Sequence, residues 1–283
     1  MKKLSELSQK ALALGKKTRI AVAVAEDSNT IGALARACRE GFVFPILVGS
    51  AQKISALLKD YDLAPDAWQM VDITDENEAT REAVRMVHDG EADVLMKGLV
   101  GTDKFLKAVL HKERGLLPPK AVMSYTCALE LPAYHKLLLI SDTAVIPYPD
   151  LDQKIAMVNY SVKMAKALDI QTPKVALISA TEKVSPGMPN TIDYALISKI
   201  KGCSVDGPLD VFLACDPASL EIKGVSTPIG GDADILIFPS LETANAFYKG
   251  LMLFAGGELA GLIQGTIKPV VVMSRSESEN SKY

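Results

Sequence analysis

Short β-branched and aliphatic runs alternate with stretches of helical period from one end of the chain to the other, the pattern of an α/β protein with largely parallel sheets. The first cycle is the clearest. Arg19 to Ala25 reads as a buried strand, Thr30 to Glu40 as a helix closed by Gly41, and Phe44 to Val48 as the next strand. The cycle continues with a helix over 53–59, a strand over 68–73, a helix over 78–88 and a strand over 93–96. In the 78–88 helix Ala79, Ala83, Val84 and Val87 share one face while Glu78, Arg81, Glu82 and Arg85 turn away.

A further helix opens near Thr102, and the paired prolines Pro118 and Pro119 then stop the pattern and mark a change of domain. Beyond them a second set predicts strands at 121–125, 137–140, 175–179, 210–214 and 234–238. Its helices fall at 151–168, 191–200, 218–223 and 241–254, and a last strand at 268–273. The expected architecture is two α/β domains, each with a mostly parallel sheet, packed along a cleft.

Composition narrows the function. The 31 Lys and Arg are outnumbered by 34 Asp and Glu, so the basic excess a nucleic-acid binder needs is missing and no nucleic-acid partner is expected. The opening residues carry Lys2, Lys3, Glu6 and Lys10 with no apolar stretch of secretory type, and no uncharged run is long enough to span a bilayer. A cytoplasmic protein without a membrane partner is expected. The four cysteines lie far apart without C-x-x-C spacing, and the three histidines form no H-E-x-x-H, so no metal is expected. There is no G-x-G-x-x-G after a strand and no G-x-S-x-G elbow. Around Gly15-Lys16-Lys17-Thr18, Lys10 occupies the place of a P-loop's leading glycine.

Ligands of open α/β sheets bind past the carboxyl ends of strands. Polar clusters fall there at Glu26 to Thr30, at Lys97-Gly98, at Ser141-Asp142-Thr143 and at Ser274-Arg275, each of which helix capping alone could also explain.

The blocks that carry a resemblance run in order along the chain. They are Leu95 to Gly98 with Thr102, Leu106 and Lys107; Ser141 to Val145; Pro149-Asp150 with Gln153-Lys154; Lys174 to Ser179; Asp206 to Pro208; Gly231 to Ile235; Asn245 to Lys249; and Ser274-Arg275. In these the chain resembles the phosphate acetyl/butyryltransferase family, on its butyryl branch, from about Thr18 onward.

The resemblance implies an isocitrate/isopropylmalate dehydrogenase-like scaffold with the active site in the interdomain cleft. One domain would comprise 1–118 plus 265–283 and the other 119–264. A homodimer or higher homo-oligomer and a place in butanoate metabolism are implied as well. The implied reaction is reversible transfer of a short acyl group, butyryl by preference, between coenzyme A and inorganic phosphate. Coenzyme A and its acyl ester are substrates, and no cofactor is implied.

By the same resemblance Ser274 donates to the oxyanion, Arg275 holds phosphate with its planar fork, and Lys97, Gly98, Thr102, Lys107 and Asp142 bind substrate. Lys107 takes the place of an arginine in the acetyl branch. That branch also has a thiol-activating carboxylate seven residues after the serine; here the position is Ser281, with Glu277 and Glu279 as local alternatives. The family pattern continues past this point into a terminal helix. Two other readings stand beside the transferase: a nicotinamide-dependent dehydrogenase on the same scaffold, and a non-catalytic homologue that senses acyl-CoA.

Overall fold

The computed structural model describes residues 2–200, 202–273 and 278–283. In chain order the first elements are α1 (Ser5–Ala13), β1 (Thr18–Ala23), α2 (Ser28–Glu40), β2 (Val43–Gly49), α3 (Ala51–Leu58), β3 (Gln69–Asp72), α4 (Glu76–His88), β4 (Val94–Lys97) and α5 (Thr102–Val109). Next come β5 (Ser124–Glu130), β6 (Leu138–Ser141), α6 (Leu151–Ala167), β7 (Lys174–Ile178), α7 (Pro189–Ile197), β8 (Ser204–Leu209), α8 (Val211–Cys215), α9 (Pro217–Lys223) and β9 (Ile235–Ile237). The last are α10 (Leu241–Ala255), β10 (Glu258–Gln264), β11 (Val270–Val271) and α11 (Glu279–Lys282).

These elements form two compact units, Leu7–Ala121 with Gly261–Tyr283, and the residues up to Glu6 with Val122–Ala260. The expected boundaries were 118/119 and 264/265. The opening residues were expected in the first domain, yet they group with the second unit, where the Leu4 N–H donates to Glu130 Oε2 at 2.7 Å.

In the first unit β3, β2, β1, β4 and β11 lie side by side and parallel, and Ile263 of β10 pairs antiparallel with Val270. The chain passes from β1 outward to β2 and β3, then returns to the other side of β1 as β4, so the carboxyl ends of β1 and β4 form a topological switch point. Val22, Ala25, Ile31, Leu34, Ala37, Val43, Leu47, Ile54 and Met96 make the core between this sheet and its helices. Helix α2 begins where the Asp27 carboxylate accepts the Thr30 N–H at 2.8 Å and ends at Gly41, whose φ of 93° belongs to the left-handed region that glycine tolerates.

In the second unit β6, β9, β7 and β8 run parallel and β5 pairs antiparallel with β6. Two sequence expectations are corrected here. The run 210–214 is not a strand but helix α8, because the Asp210 carboxylate accepts the Leu213 N–H at 2.8 Å and caps it. The strand of this region is β8, immediately upstream, where Gly207 and Pro208 obscure the strand pattern. The strand expected at 121–125 lies at 124–130, and β10 was not expected at all. Among the described residues no helix is long and apolar enough to cross a membrane.

Candidate active site

The turn after β4 is pressed against the end of β1. The Gly98 N–H donates to the Ala23 carbonyl at 2.9 Å and the Leu99 N–H to the Val24 carbonyl at 2.8 Å. A Cβ on Gly98 would stand 2.2 Å from the Val24 oxygen, so only glycine fits this approach. Opposite it Val24 has φ of 57°, a conformation costly for a β-branched residue. Backbone strain of this kind clusters at active sites and ligand clamps. Lys97 is buried at 3% exposure beside this turn, its Nζ 3.2 Å from the Gly98 carbonyl.

Around the same edge a cavity of about 290 Å³ is lined by Val24, Glu26, Lys53, Thr74, Glu76 and Leu99. The Glu26 carboxylate accepts the Ser50 N–H at 2.9 Å and the Lys53 ammonium at 2.7 Å. Thr102 opens α5 after the cap residue Gly101, whose N–H is held by Glu76 Oε1 at 3.2 Å. Farther along α5, Lys107 is exposed and lines a groove of about 1120 Å³ together with Arg81, Lys104, His111 and Arg114. The structure thus joins Lys97 and Gly98 directly and places Thr102 and Lys107 on the helix that follows them.

Asp142 belongs to the other unit and is 1% exposed. One of its oxygens accepts the N–H groups of Ala144 and Val145 at 2.8 and 2.9 Å, and the other accepts the Tyr125 N–H at 3.0 Å. Burial raises its pKa against the pull of those three donors. Its carboxylate therefore shapes the loop after β6. Sequence alone does not reveal whether an acid at a strand end faces a ligand or backbone N–H groups.

Ser274, Arg275 and Glu277 lie outside the described residues. Met273, which precedes them, is buried, and β11 pairs with β4 through Val270–Leu95 and Val271–Met96. Beyond them α11 turns its residues onto α2. The Glu279 carboxylate lies against Gly32, where an added Cβ would meet it at 2.1 Å, and Ser281 is buried with its N–H donated to Ser278 Oγ. Lys282 reaches the Asp27 carboxylate at 2.8 Å. That partnership spans the length of the chain, and no local pattern could have indicated it.

None of the four cysteines has the setting of a nucleophile. Cys38 and Cys127 are buried, burial pushes the Cys38 and Cys203 thiols up, and it pushes Cys215 up to about 11. Among the described residues no group of three or more His, Cys, Asp or Glu side chains could hold a metal ion.

The comparisons with known proteins agree with one another. Residues 76–283 match the family model described as phosphate acetyl/butaryl transferase. The chain is 39% identical to phosphate butyryltransferase of Clostridium acetobutylicum over 93% of this chain and 89% of that one. It is 38% identical to phosphate acetyltransferase of Thermotoga maritima over 96% and 94%. A branched-chain phosphotransacylase from Enterococcus faecalis superimposes with a TM-score of 0.82 at 31% identity, over 94% of this chain and 95% of that one. Neither the dehydrogenase nor the sensor reading is favoured by these relatives. The matched span contains β4, the Lys97-Gly98 turn, β11 and the Ser274-Arg275 dipeptide, and the chain belongs to the phosphate acetyl/butyryl transferase family.

Proposed function

We propose that this chain transfers a short acyl group between coenzyme A and inorganic phosphate, taking butyryl in preference to acetyl, with Ser274 and Arg275 serving the reaction. The observation that carries this reading is the switch point. Strand β11 lies beside β4 and ends three residues before Ser274 in the sequence, while β4 itself ends in the buried Lys97 and the wedged Gly98.

In the phosphate-forming direction a phosphate oxygen attacks the thioester carbonyl. Negative charge develops on the carbonyl oxygen, where the Ser274 hydroxyl donates, and the carbon–sulfur bond then breaks to release the coenzyme A thiolate. The Arg275 guanidinium holds the attacking phosphate in two-pronged contact. In reverse, thiolate attacks the acyl phosphate and phosphate leaves. Direct transfer is supported by the cysteines, since thiols buried and raised in pKa are poor nucleophiles. Lys97, Gly98, Thr102, Lys107 and Asp142 are proposed to serve substrate binding, Asp142 by shaping its loop.

The scaffold is proposed to be that of the isocitrate/isopropylmalate dehydrogenases, with the two compact units as its domains. We read the protein as a cytoplasmic enzyme of butanoate metabolism that needs no cofactor and works as a homodimer or higher homo-oligomer. Leu253 and Phe254, 76% and 85% exposed at the end of α10, support the oligomer.

Acyl preference is tested by thiol release from butyryl-CoA and acetyl-CoA in the presence of phosphate. Burial of two further methylenes is worth about 0.8 kcal/mol each, so kcat/KM for the butyryl ester should be higher by roughly tenfold. Equal or higher kcat/KM with acetyl-CoA overturns the preference, and no release from any acyl-CoA overturns the transferase.

A further inference from the structure

The cavity of about 290 Å³ at the switch point lies wholly within the first unit. Its aliphatic walls are Val24 past β1, Ile73 past β3, Ala79 on α4 and Leu99 past β4. Backbone bonds hold these walls in place. The Ile73 N–H donates to the Gly49 carbonyl at 3.0 Å, the Ala79 N–H to the Asp75 carbonyl at 2.8 Å, and the Leu99 N–H to the Val24 carbonyl at 2.8 Å. Val24 and Ala79 are buried, whereas Leu99 is 38% exposed and can be covered by a bound molecule.

The charged residues of the lining are Glu26, Lys53 and Glu76, and both carboxylates have partners within the protein. The Glu26 side chain is 6% exposed, one oxygen accepting the Ser50 N–H and the other the Lys53 ammonium. Glu76 accepts the Gly101 N–H at 3.2 Å and the Lys104 ammonium at 2.9 Å. Neither carboxylate therefore needs a ligand to satisfy it. Two carboxylates against one ammonium also give the lining an excess of negative charge, which disfavours inorganic phosphate and the phosphate groups of coenzyme A.

Size points the same way. A pocket for a whole drug-sized molecule measures about 300–1,000 Å³, so one limb of an acyl-CoA fits here and the entire molecule does not. The adenine limb carries ring nitrogens and an amine whose hydrogen bonds these committed carboxylates do not supply, and polar groups buried unpaired cost affinity. An acyl chain asks only for aliphatic surface. We propose that this cavity seats the acyl chain, with Leu99 and Ile73 as the residues that set the chain length accepted. The proposal rests on the reading that the protein transfers a short acyl group, and it assigns the seat of that group. Leu99 directly follows Lys97 and Gly98, proposed above to bind substrate, so chain selection and substrate contact share one turn.

The test is thiol release in the presence of phosphate from acetyl-CoA, butyryl-CoA and hexanoyl-CoA, with thermal melts, on the parent and on Leu99→Trp, Leu99→Ala and Ile73→Ala. Each methylene that the cavity covers is worth about fourfold in kcat/KM. Filling the cavity with Leu99→Trp is expected to lower the butyryl-to-acetyl ratio of kcat/KM by about tenfold. Enlarging it with Leu99→Ala or Ile73→Ala should raise the hexanoyl-to-butyryl ratio by about fivefold.

If Leu99→Trp lowers kcat/KM for all three esters by one factor, the cavity holds a part common to them, such as adenine, and the proposal is overturned. Ratios that stay at the parent's values in folded variants overturn it as well. Should Leu99→Trp not fold, or should the parent show no butyryl preference, Leu99→Ala and Ile73→Ala decide by the hexanoyl-to-butyryl ratio alone. A parent that releases thiol from none of the esters fells the transferase reading together with this seat, whereas an active parent with insensitive ratios fells only the seat.

Discussion

Strands β1 and β4 lie in register from Ile20–Val94 to Ala23–Lys97, and their two ends are built in opposite ways. Where they begin, Arg19 grips Asp93 with two prongs, Nε to Oδ2 at 3.2 Å and an Nη to Oδ1 at 3.1 Å, and the Arg19 N–H adds a third bond at 3.1 Å. The Arg19 guanidinium also donates to the Gly90 carbonyl at 2.9 Å, and the Arg19 side chain remains 43% exposed. Where the strands end, Val24 is turned into the left-handed region, Gly98 is wedged against its carbonyl, and the lysine between them is buried. One end fixes the register cheaply in water. The other uses that register to hold backbone and charge in positions that stability alone does not favour.

The sharpest test of that contrast is loss of Arg275, which is proposed to hold phosphate. Arg275→Ala is expected to lower kcat/KM by about 100-fold or more, roughly 3 kcal/mol of transition-state stabilisation. Arg275→Lys should recover part of this, since an ammonium keeps the charge but lacks the fork. Steady-state kinetics beside a thermal melt settles the outcome. Near-normal turnover in a folded Arg275→Ala protein removes the residue from the mechanism.

A smaller effect is expected at Gly98. The added methyl of Gly98→Ala would meet the Val24 and Ala23 carbonyl oxygens at 2.2 and 2.8 Å, and because both belong to backbone in the sheet, the turn must move. Displacement of this kind costs about 1–3 kcal/mol and shifts Lys97 with it. Chemical denaturation should show the loss, and kcat should fall with it. A variant as stable and active as the parent would show that the close approach is incidental.

The two ends were unequally legible in the sequence. Strand β1, helix α2 and the Gly41 cap follow from apolar period and a residue type that accepts positive φ, and Asp27 stands in the polar cluster that predicts a helix start. Strand β8 escaped because Gly207 and Pro208 interrupt its pattern, and 210–214 was misread because the four apolar residues after Asp210 are too few to show a period that separates strand from helix. At the site, Lys97-Gly98 could be picked out by position after a strand and by resemblance. Its burial, the strain at Val24 and the inward turn of the Asp142 carboxylate are consequences of packing. The Lys282–Asp27 contact joins residues 255 positions apart and leaves no mark on either neighbourhood.

The smallest expected effect belongs to the cheap end, and its sign follows from the proton balance. Hydrogen bonds from the Arg19 side chain hold the Asp93 pKa at about 2, below the ordinary 3.8. A carboxylate depressed in the folded state stabilises the fold at pH values above its unfolded pKa, and the contribution is lost as pH falls toward the folded pKa. The window is therefore from about pH 4 down to about pH 2. Solvent screening of so exposed a partner reduces the contribution at neutral pH to about 1 kcal/mol. Asp93→Asn should accordingly lower stability by about that much at pH 7, with the gap from the parent closing as the pH is brought through this window. Denaturant titrations at pH 7, 4 and 3 measure it. A gap that stays constant with pH would mean that Asp93 acts through shape and neutral hydrogen bonds rather than charge. Turnover at pH 7 should be nearly unchanged in this variant, and a large loss of kcat would show that the register fixed at the amino ends is what holds Gly98 against Val24.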